Sequence, residues 1–380
     1  MLIKDKKLQL NDLKTGIIFK NDKPHVKSIH AYFPSVAVLT DGSLISMYTL
    51  AEAFEAANAQ VHLSRSYDQG QTWKYQGRLC ADTTDRITST FGRIAISPEG
   101  ELIANLVRFD RTDHPDEGLS NPDNLGIVHS DLFLMRSDNQ GETWEEPEKV
   151  TPPIDNPECE MCSPITFLKD GRWVWPTSLW RDWAGNHPYG NRMIAFVSKD
   201  RGASWPDYLD IMHSETNHST YWESKILEYP DGRLLAVAWC FDEQENVDLP
   251  NQYSISDDHG ATWSPLASTQ LAGQTLTPCL LDDGTILNIY RRIDQPGLWA
   301  CLSSIEDGQW VNHDQQPLWG HQSLEGTTTL GGNMSENFAV LKFGAPNITR
   351  LPDGDLFVSF WCYEQSVSVI RWFRFHVESN

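Results

Sequence analysis

Two carboxylates stand where predicted strands begin or end, and they are the strongest candidates for acid–base chemistry in this chain. Glu223 lies in the sequence TYWESK, at the start of an apolar strand, and Asp110 lies in RFDR, at the end of another. Cleavage of a glycosidic bond requires a pair of carboxyl groups, usually about 5 Å or about 6.5–9.5 Å apart. The arginines beside Asp110 would keep its pKa low and its side chain ionised. We therefore predict Glu223 and Asp110 as a catalytic pair.

Arginines and aromatic residues occur at the same strand ends. Arg93 lies within FGRIAIS, an inner-strand sequence in which an arginine is costly unless it is paired or faces a ligand. Arg291 and Arg292 end another apolar strand, and we expect one to face the site and the other to face solvent. Convergent arginines suit a carboxylate or sulfate group, and tryptophans suit the face of a sugar ring. The predicted substrate-binding residues are Arg93, Arg108, Arg181, Trp183, Trp222, Asp242, Arg291, Arg292 and Tyr32.

A repeated motif indicates which elements hold these residues. The pattern S-x-[DN]-x-G-x-[TS]-W occurs four times, beginning at Ser66, Ser137, Ser198 and Ser256. The Asp or Asn side chain accepts backbone N–H bonds in a tight turn, and the glycine supplies a positive φ. A shortened copy, Ser304–Trp310, has one residue fewer between glycine and tryptophan. Since each motif follows a short apolar strand, each is predicted at the turn of a hairpin.

A second turn signal alternates with the first. Two apolar strands joined by Asp-Gly or Glu-Gly recur six times, with turns that begin at Asp41, Glu99, Asp170, Asp231, Asp283 and Asp353. Together the two signals describe a unit of four strands, which predicts an all-β, six-bladed β-propeller with four-stranded antiparallel blades. The last unit lacks a fourth strand, and LKTGIIFKN near the N-terminus is predicted to supply it. Residues 1–380 would then form a single domain whose ring is closed by the N-terminal strand.

The four motifs are Asp boxes, and over nearly the full chain they resemble those of the sialidase (neuraminidase) superfamily. The resemblance implies a sialidase-like propeller and places a catalytic glutamate at Glu223, within the matching stretch Tyr221–Ser224. It also implies a role for Arg291 or Arg292 as the third arginine of the family's carboxylate clamp.

Three other positions depart from the sialidase pattern. Tyr32-Phe33-Pro34 stands where the family has Arg-Ile-Pro, and Trp239 stands where the second clamp arginine would be. The stretch Phe343–Asn347 contains no tyrosine to act as the nucleophile. The resemblance therefore implies a sialidase-type scaffold with a different substrate.

The order of strands predicts which face carries the site. The Asp-Gly turns and the Asp boxes fall on one face, whereas the starts of the first strands and the loops after the second strands fall on the other. Long polar insertions, Arg111–Asp131 and Arg181–Arg192, lie in the loops after second strands, and such loops carry function when a rigid scaffold presents them. The first-strand residues expected at this mouth are His30, Tyr32, Arg93, Glu160, Tyr221, Trp222, Glu223 and Asn347.

Composition excludes several classes of partner. Acidic residues outnumber basic ones by 52 to 30, and a net charge of −22 disfavours nucleic acid and anionic membranes. No apolar run approaches the roughly 18 residues of a membrane span. The N-terminus lacks the apolar segment of a signal peptide, so we expect a cytoplasmic protein, or a secreted or periplasmic one if a signal was removed. Among seven cysteines, Cys159 and Cys162 form a lone CxxC, and we expect neither metal nor cofactor.

The leading functional prediction is an exo-acting glycoside hydrolase of the sialidase-like superfamily. Its substrate would be an anionic or decorated sugar, such as sialic acid, a relative, or a uronate-containing glycan. One alternative is a polysaccharide lyase that cleaves at a uronate by β-elimination, with Tyr32, Tyr221, His30 and His187 as the available bases and acids. A second alternative is a propeller that binds glycans without catalysis.

Overall fold

The computed structural model describes residues 6–81, 85–160, 163–216, 218–323, 337–338 and 340–379. Within these residues the strands form six antiparallel sheets, and the sheets are the blades of a propeller. The all-β fold with four-stranded blades is thus confirmed. In the same residues, no helix has the length and hydrophobicity needed to cross a membrane.

The strands follow the chain blade by blade. The first strand of the chain is β1 (Leu8–Phe19). Blade 1 contains β2 (His30–Val38), β3 (Leu44–Ala51), β4 (Gln60–Ser66) and β5 (Lys74–Arg78). Blade 2 contains β6 (Thr88–Ile96), β7 (Leu102–Asp110), β8 (Ser130–Ser137) and β9 (Glu148–Val150). Blade 3 contains β10 (Glu158–Cys159), β11 (Thr166–Phe167), β12 (Trp173–Trp180), β13 (Arg192–Ser198) and β14 (Asp207–His213).

The remaining blades follow the same plan. Blade 4 contains β15 (Ser219–Glu228), β16 (Leu234–Asp242), β17 (Val247–Ser256) and β18 (Ala267–Ser268). Blade 5 contains β19 (Gly273–Leu280), β20 (Ile286–Arg292), β21 (Leu298–Glu306) and β22 (Gln309–Trp319). Blade 6 contains β23 (Phe343–Arg350), β24 (Leu356–Glu364) and β25 (Val367–Ser379), and β1 completes it as the outer strand.

Asp boxes form the turns between third and fourth strands in blades 1 to 4. In the first, Asp68 accepts hydrogen bonds from the backbone N–H of Thr72 at 2.8 Å and from its hydroxyl at 2.6 Å. The Ser66 hydroxyl donates to Asp68 at 2.8 Å and accepts the N–H of Gly70 at 2.8 Å. These bonds satisfy the turn locally, which explains why a short motif suffices to predict it.

The shortened copy in blade 5 forms a different turn. Glu306 pairs directly with Gln309, so the loop has only two residues, Asp307 and Gly308, with φ of 49° and 76°. Positive φ at both positions is typical of a type I′ hairpin turn. Loss of one residue has therefore replaced the Asp-box turn with a tighter one, while the two strands remain paired.

The N-terminal strand closes the ring. β1 pairs antiparallel with β25, which places the first and last described parts of the chain in one sheet. Leu8 and Ile18 of β1 are buried, and the Thr15 hydroxyl donates to the carbonyl of Trp372 at 2.8 Å. Blade 6 is consequently held by residues from opposite ends of the sequence.

A bulge recurs in the first strand of four blades. In β2, β15, β19 and β23, two residues stand opposite one residue of the second strand. The first bulged residue has a positive φ in each case: Phe33 (54°), Glu223 (49°), Thr275 (55°) and Ala345 (47°). A bulge redirects side chains and is common beside functional sites. In blade 2, β6 pairs without a bulge, and in blade 3 the first strand is divided into β10 and β11.

Ring closure depends on a position where only glycine fits. A methyl group on Gly16 would lie 2.8 Å from the indole of buried Trp372. We expect Gly16→Ala to lower the free energy of unfolding by about 1–3 kcal/mol, because the indole or β1 must shift. Lys14→Ala, at an exposed position of the same strand, is the matched control and should change it by less than about 0.5 kcal/mol. Urea denaturation measures both, and equal effects of the two variants would contradict this account.

Candidate active site

A cavity opens on the face that carries the long loops, and it encloses about 840 Å³ of space, part of it open to solvent. Its residues come from the starts of first strands, the ends of second strands and the loops that follow them; the Asp boxes contribute none. Aromatic residues make up about half of the wall: Phe33, Phe54, Phe91, Phe109, Phe338, Trp180, Trp222, Trp239 and Trp361. The ionisable residues that line it are Glu55, Arg93, Glu160, Glu223 and Arg291.

Glu160 and Glu223 meet at the cavity. The backbone N–H of Glu223, at the bulge of β15, donates to a carboxylate oxygen of Glu160 at 2.7 Å. Glu160 follows β10 directly, and its carbonyl accepts the hydroxyl of Thr177 at 3.0 Å. Burial, together with the nearby charge of Glu223, raises the pKa of Glu160 to about 7. The carboxyl group of Glu160 is therefore about half protonated at neutral pH.

A buried guanidinium group supplies the opposing charge. Arg291 is 1% exposed, and it donates to the carbonyl of Phe343 in blade 6 at 2.7 Å and to the side-chain oxygen of Gln274 at 2.7 Å. Its third nitrogen, Nη2, is buried and has no hydrogen-bond partner among the described residues. Burial lowers the pKa of Arg291 to about 10, while the charge of Glu223 counteracts that effect. The arginine thus remains charged and retains a free donor.

Asp248 holds the arginine network in place from blade 4. Its carboxylate accepts hydrogen bonds from the indole N–H of Trp239 and from the amide of Gln274, the latter at 2.7 Å. Because Gln274 uses its other side-chain atom to bind Arg291, the orientation of the guanidinium group is fixed through Asp248. Trp239 also lies beneath the guanidinium, 5.7 Å from ring centre to Cζ.

Arg93 enters the cavity from blade 2. Its side chain is 4% exposed and donates to the carbonyl of Phe33 at 3.0 Å and to that of Gly92 at 3.1 Å. The Phe33 ring lies 5.6 Å from the Arg93 Cζ. Carbonyl acceptors and an aromatic face thus accommodate the inner-strand arginine, and its position on the wall agrees with the prediction that it faces the cavity.

The structure does not bring Asp110 to Glu223. Asp110 lies outside the cavity, where it pairs with Arg86 at 3.2 Å and accepts the backbone N–H of Thr112 at 2.9 Å. Its neighbour Phe109 lines the cavity instead, because successive residues of a strand point to opposite faces. The predicted pair of Glu223 and Asp110 is therefore not brought together, and the carboxyl group that contacts Glu223 is that of Glu160.

Four other predicted binding residues also lie off the cavity wall. Arg108 packs over the ring of Phe133 at 4.6 Å, and Arg181 forms a bidentate pair with Glu243 at 2.9 and 2.7 Å. The remaining two, Trp183 and Asp242, make their contacts with other loop residues. Trp183 packs against His114, with ring centres 3.9 Å apart, and Asp242 accepts the backbone N–H groups of residues 244 and 245.

Of the two neighbouring arginines, Arg291 lines the cavity, whereas Arg292 is buried elsewhere and does not face solvent as the sequence predicts. Arg292 leaves the cavity and pairs with Asp294 through two nitrogens, at 2.6 and 2.9 Å. Trp222 lines the cavity between Trp180 and Trp239, whereas Tyr32 is fully buried behind it and shares a hydrogen bond with Tyr363 at 2.9 Å.

Glu160, Asp248 and Gln274 are the site residues for which the sequence gives no role. The sequence places Glu160 at the mouth, but the cysteines on either side draw attention to the lone CxxC instead. Cys159 is a buried free thiol and Cys162 lies outside the described residues. Asp248 and Gln274 carry no sequence signal, because their contact depends on how blades 4 and 5 pack. No cluster of three or more potential metal ligands occurs within the described ranges.

Comparison with known proteins supports the fold. The chain is similar to a protein of unknown function from Dyadobacter fermentans, at 16% identity over 98% of this chain and 99% of that one, with a TM-score of 0.73. It is also similar to the NanB sialidase of Streptococcus pneumoniae, at 13% identity over 95% of this chain and 70% of that one, with a TM-score of 0.63. The chain spans 60% of the Trypanosoma rangeli sialidase, which matches 97% of it at 13% identity with a TM-score of 0.60.

These similarities establish the sialidase-type propeller, which the Asp boxes predict, and at such identities they show the fold alone. No protein-family model matches the sequence, and no curated protein matches it.

The raised pKa of Glu160 has a consequence for stability. Folding raises this pKa from its ordinary value of 4.5 to about 7, so the folded protein binds one more proton than the unfolded chain between those pH values. Stability must then fall as the pH rises through that window, by up to about 1.4 kcal/mol per pH unit. Glu160→Gln keeps an acceptor for the Glu223 N–H and has no proton to lose. We expect its unfolding free energy to exceed that of the wild type more at pH 8 than at pH 4.5.

The measurement is urea denaturation across that range. Glu142→Gln, at an exposed site on an Asp-box turn, is the control and should preserve the wild-type pH dependence. A Glu160→Gln protein whose stability still declines between pH 4.5 and 7 as steeply as the wild type would show that another group carries the proton.

Proposed function

We propose that this protein is an exo-acting glycoside hydrolase of the sialidase-like superfamily, with Glu160 as the general acid and Glu223 as the base or nucleophile. The observation that carries the proposal is the contact between Glu160 and the Glu223 backbone inside an aromatic cavity. Two carboxyl groups whose environments separate their protonation states are the requirement for hydrolysis of a glycosidic bond.

Each group has a defined part in the reaction. Glu160, held protonated by burial, donates its proton to the glycosidic oxygen as the bond to the anomeric carbon breaks. Glu223 either attacks that carbon or removes a proton from the water that attacks it. Arg291 and Glu223 are close enough to interact electrostatically. One water is consumed, its hydroxyl adding to the sugar and its proton restoring the acid.

The cavity wall favours a terminal sugar that carries an anionic or similarly decorated group. Arg291 offers a buried donor with no protein acceptor, which a carboxylate or acylamino oxygen on the sugar would fill. By the resemblance, Tyr32 and Trp239 stand where sialidases have the other two clamp arginines; Trp239 lines the cavity and Tyr32 is buried behind it. The anionic or decorated group of the sugar is therefore bound by one or two arginines and by aromatic faces. This supports a substrate different from that of an ordinary sialidase.

The lyase alternative receives less support. Its four candidate groups, Tyr32, Tyr221, His30 and His187, do not line the cavity. Burial raises the pKa of both tyrosines and lowers the pKa of both histidines, that of His187 to about 4. The hydroxyl of Tyr32 is bound to Tyr363, and His30 accepts the backbone N–H of Ser368 at 3.0 Å. None of the four is positioned to take a proton from a sugar in the cavity.

Kinetics of two glutamine variants test the assignment of roles. Against a panel of aryl glycosides and oligosaccharides, Glu160→Gln should lower kcat about 10²- to 10⁴-fold with poor leaving groups and much less with an activated aryl group. Glu223→Gln should lower it with both. In the wild type, kcat/KM should decline above a pH of about 7, and this decline should vanish in Glu160→Gln.

Asp110→Asn is the matched control, because it removes a carboxylate on the same face but outside the cavity. It should retain activity within about threefold. Loss of turnover in Asp110→Asn, with retention in Glu160→Gln, would overturn the corrected pair. An unsaturated product, detected by its absorbance, would favour the lyase instead.

Adjacent arginines provide an internal comparison for substrate binding. Arg291→Lys should raise KM about 10- to 100-fold for a substrate with an anionic terminal sugar, because the ammonium group cannot replace both fixed hydrogen bonds and the free donor. Arg292→Lys, which alters contacts with Asp294 and Trp299 outside the cavity, should leave KM nearly unchanged. Thermal unfolding of both variants separates binding from folding. Equal KM values for the two variants would remove Arg291 from substrate binding.

A further inference from the structure

The first strand of blade 3 ends just before Glu160, the proposed acid. β10 has two residues, which pair with Leu179 and Trp180 of β12, and β11 begins only at Thr166. The first strands of the other five blades have eight to ten residues each. Contacts outside the β10–β12 ladder must therefore help to fix the position of Glu160.

Glu158, two residues before Glu160, supplies such contacts. It is 8% exposed and lies at the boundary with blade 2, off the cavity wall. Its carboxylate accepts the N–H of Ser130 at 2.7 Å, the Ser130 hydroxyl at 2.9 Å and the ring nitrogen Nδ1 of His129 at 2.9 Å. The Ser130 hydroxyl in turn accepts the N–H of Cys159 at 3.1 Å. Through these bonds, both residues of β10 are attached to blade 2.

The attachment leads directly to the cavity wall. Ser130 pairs with Phe109 of β7, and Phe109 lines the cavity. On the opposite side, the N–H of Glu223 in blade 4 donates to the Glu160 carboxylate. Glu160 is thus held between blades 2 and 4, and a displacement of about 1 Å can lower the rate of a reaction about 100-fold.

The charges around Glu158 make the attachment costly to break. Removing a partner from a buried, bonded carboxylate leaves its charge uncompensated. His129 also lies 3.6 Å from Asp131, whose carboxylate pairs with Lys149 and Arg86. The bond to Glu158 is the main cause that raises the pKa of His129, and the charge of Lys149 opposes it. A protonated His129 therefore forms an ion pair with the carboxylate that anchors β10.

We propose that Glu158 is a positioning residue for Glu160: it anchors β10 to blade 2 and so keeps the Glu160 carboxyl group inside the cavity, shielded from water. The inference rests on the proposed hydrolase function and deepens it. Burial is the main reason that the pKa of Glu160 is raised. Without the anchor, water reaches the carboxyl group and its pKa moves back toward 4.5. Glu160 is then mostly ionised at neutral pH and has no proton to donate.

The experiment measures the pH at which Glu160 is half protonated, by carbon NMR of protein labelled at the side-chain carboxyl of glutamate. The signal is assigned by its absence from Glu160→Gln. Glu158→Ala removes the three hydrogen bonds of the carboxylate and should lower that pH by about one unit. Glu158→Gln removes the same charge but keeps an oxygen for the Ser130 N–H, so its shift should be less than half as large.

Asp131→Asn is the matched control, because it removes the other carboxylate beside His129 and leaves the bonds to β10 in place. It should leave the half-protonation of Glu160 unchanged. In turnover assays, Glu158→Ala should lower kcat about 10- to 100-fold with poor leaving groups and change KM little. Glu158→Gln should restore most of that loss, and Asp131→Asn should retain activity within about threefold.

The outcomes separate the anchor from the reaction. Equal shifts in Glu158→Ala and Glu158→Gln would show an effect of charge alone and overturn the proposal, and so would an unchanged value in Glu158→Ala. A larger shift in Glu158→Ala would uphold it even if no glycoside is cleaved, in which case the hydrolase proposal fails instead.

A second variant covers the case in which Glu158→Ala does not fold, as judged by thermal unfolding. Ser130→Ala removes the hydroxyl that bonds to Glu158 and to the N–H of Cys159, but keeps the backbone N–H bond. It should lower the half-protonation pH of Glu160 by a smaller amount. No shift in this variant would overturn the proposal.

Discussion

The geometry of the propeller imposes one constraint on which the site depends: each blade packs its two faces against its neighbours, so a regular inner strand presents only its edge to the axis. The bulges in β2, β15, β19 and β23 interrupt this regular arrangement, so that side chains of the inner strands can point into the cavity. Each places one residue in the left-handed region, at a cost of order 1 kcal/mol or more, and changes the direction of the side chain. Phe33, Glu223 and Ala345 reach the cavity in this way.

Arg291 supplies a buried positive charge to this cavity. Its guanidinium group joins blade 6 through Phe343 and blade 4 through Gln274 and Asp248, so three blades fix one charge. A buried arginine is costly unless its donors are satisfied, and two of its three nitrogens are. The third is the natural place for a ligand. In the same cavity, burial and the nearby charge of Glu223 raise the pKa of Glu160 to about 7, so this carboxyl group can hold a proton near neutral pH.

The two faces of the propeller have separate tasks. Asp boxes satisfy their own turns with side-chain hydrogen bonds, and arginines of neighbouring blades bind to them, so they stabilise the scaffold without entering the cavity. The long loops on the other face depend on tertiary contacts, of which the four carbonyls bound by Arg111 are the clearest case. Variation of these loops can change the ligand while the blades remain as they are.

The sequence by itself determined the fold, the face that carries the site, Glu223 and Arg93, because turn motifs and strand alternation are local signals. The direction of residues at strand ends was decided only in three dimensions. Phe109 lines the cavity and its neighbour Asp110 does not. Likewise, Arg291 lines the cavity and its neighbour Arg292 does not. A one-residue change in register reverses every side chain of a strand, and bulges set this register at the mouth in four of the first strands. The pairing of Glu160 with Glu223, which joins blades 3 and 4, therefore required the tertiary structure.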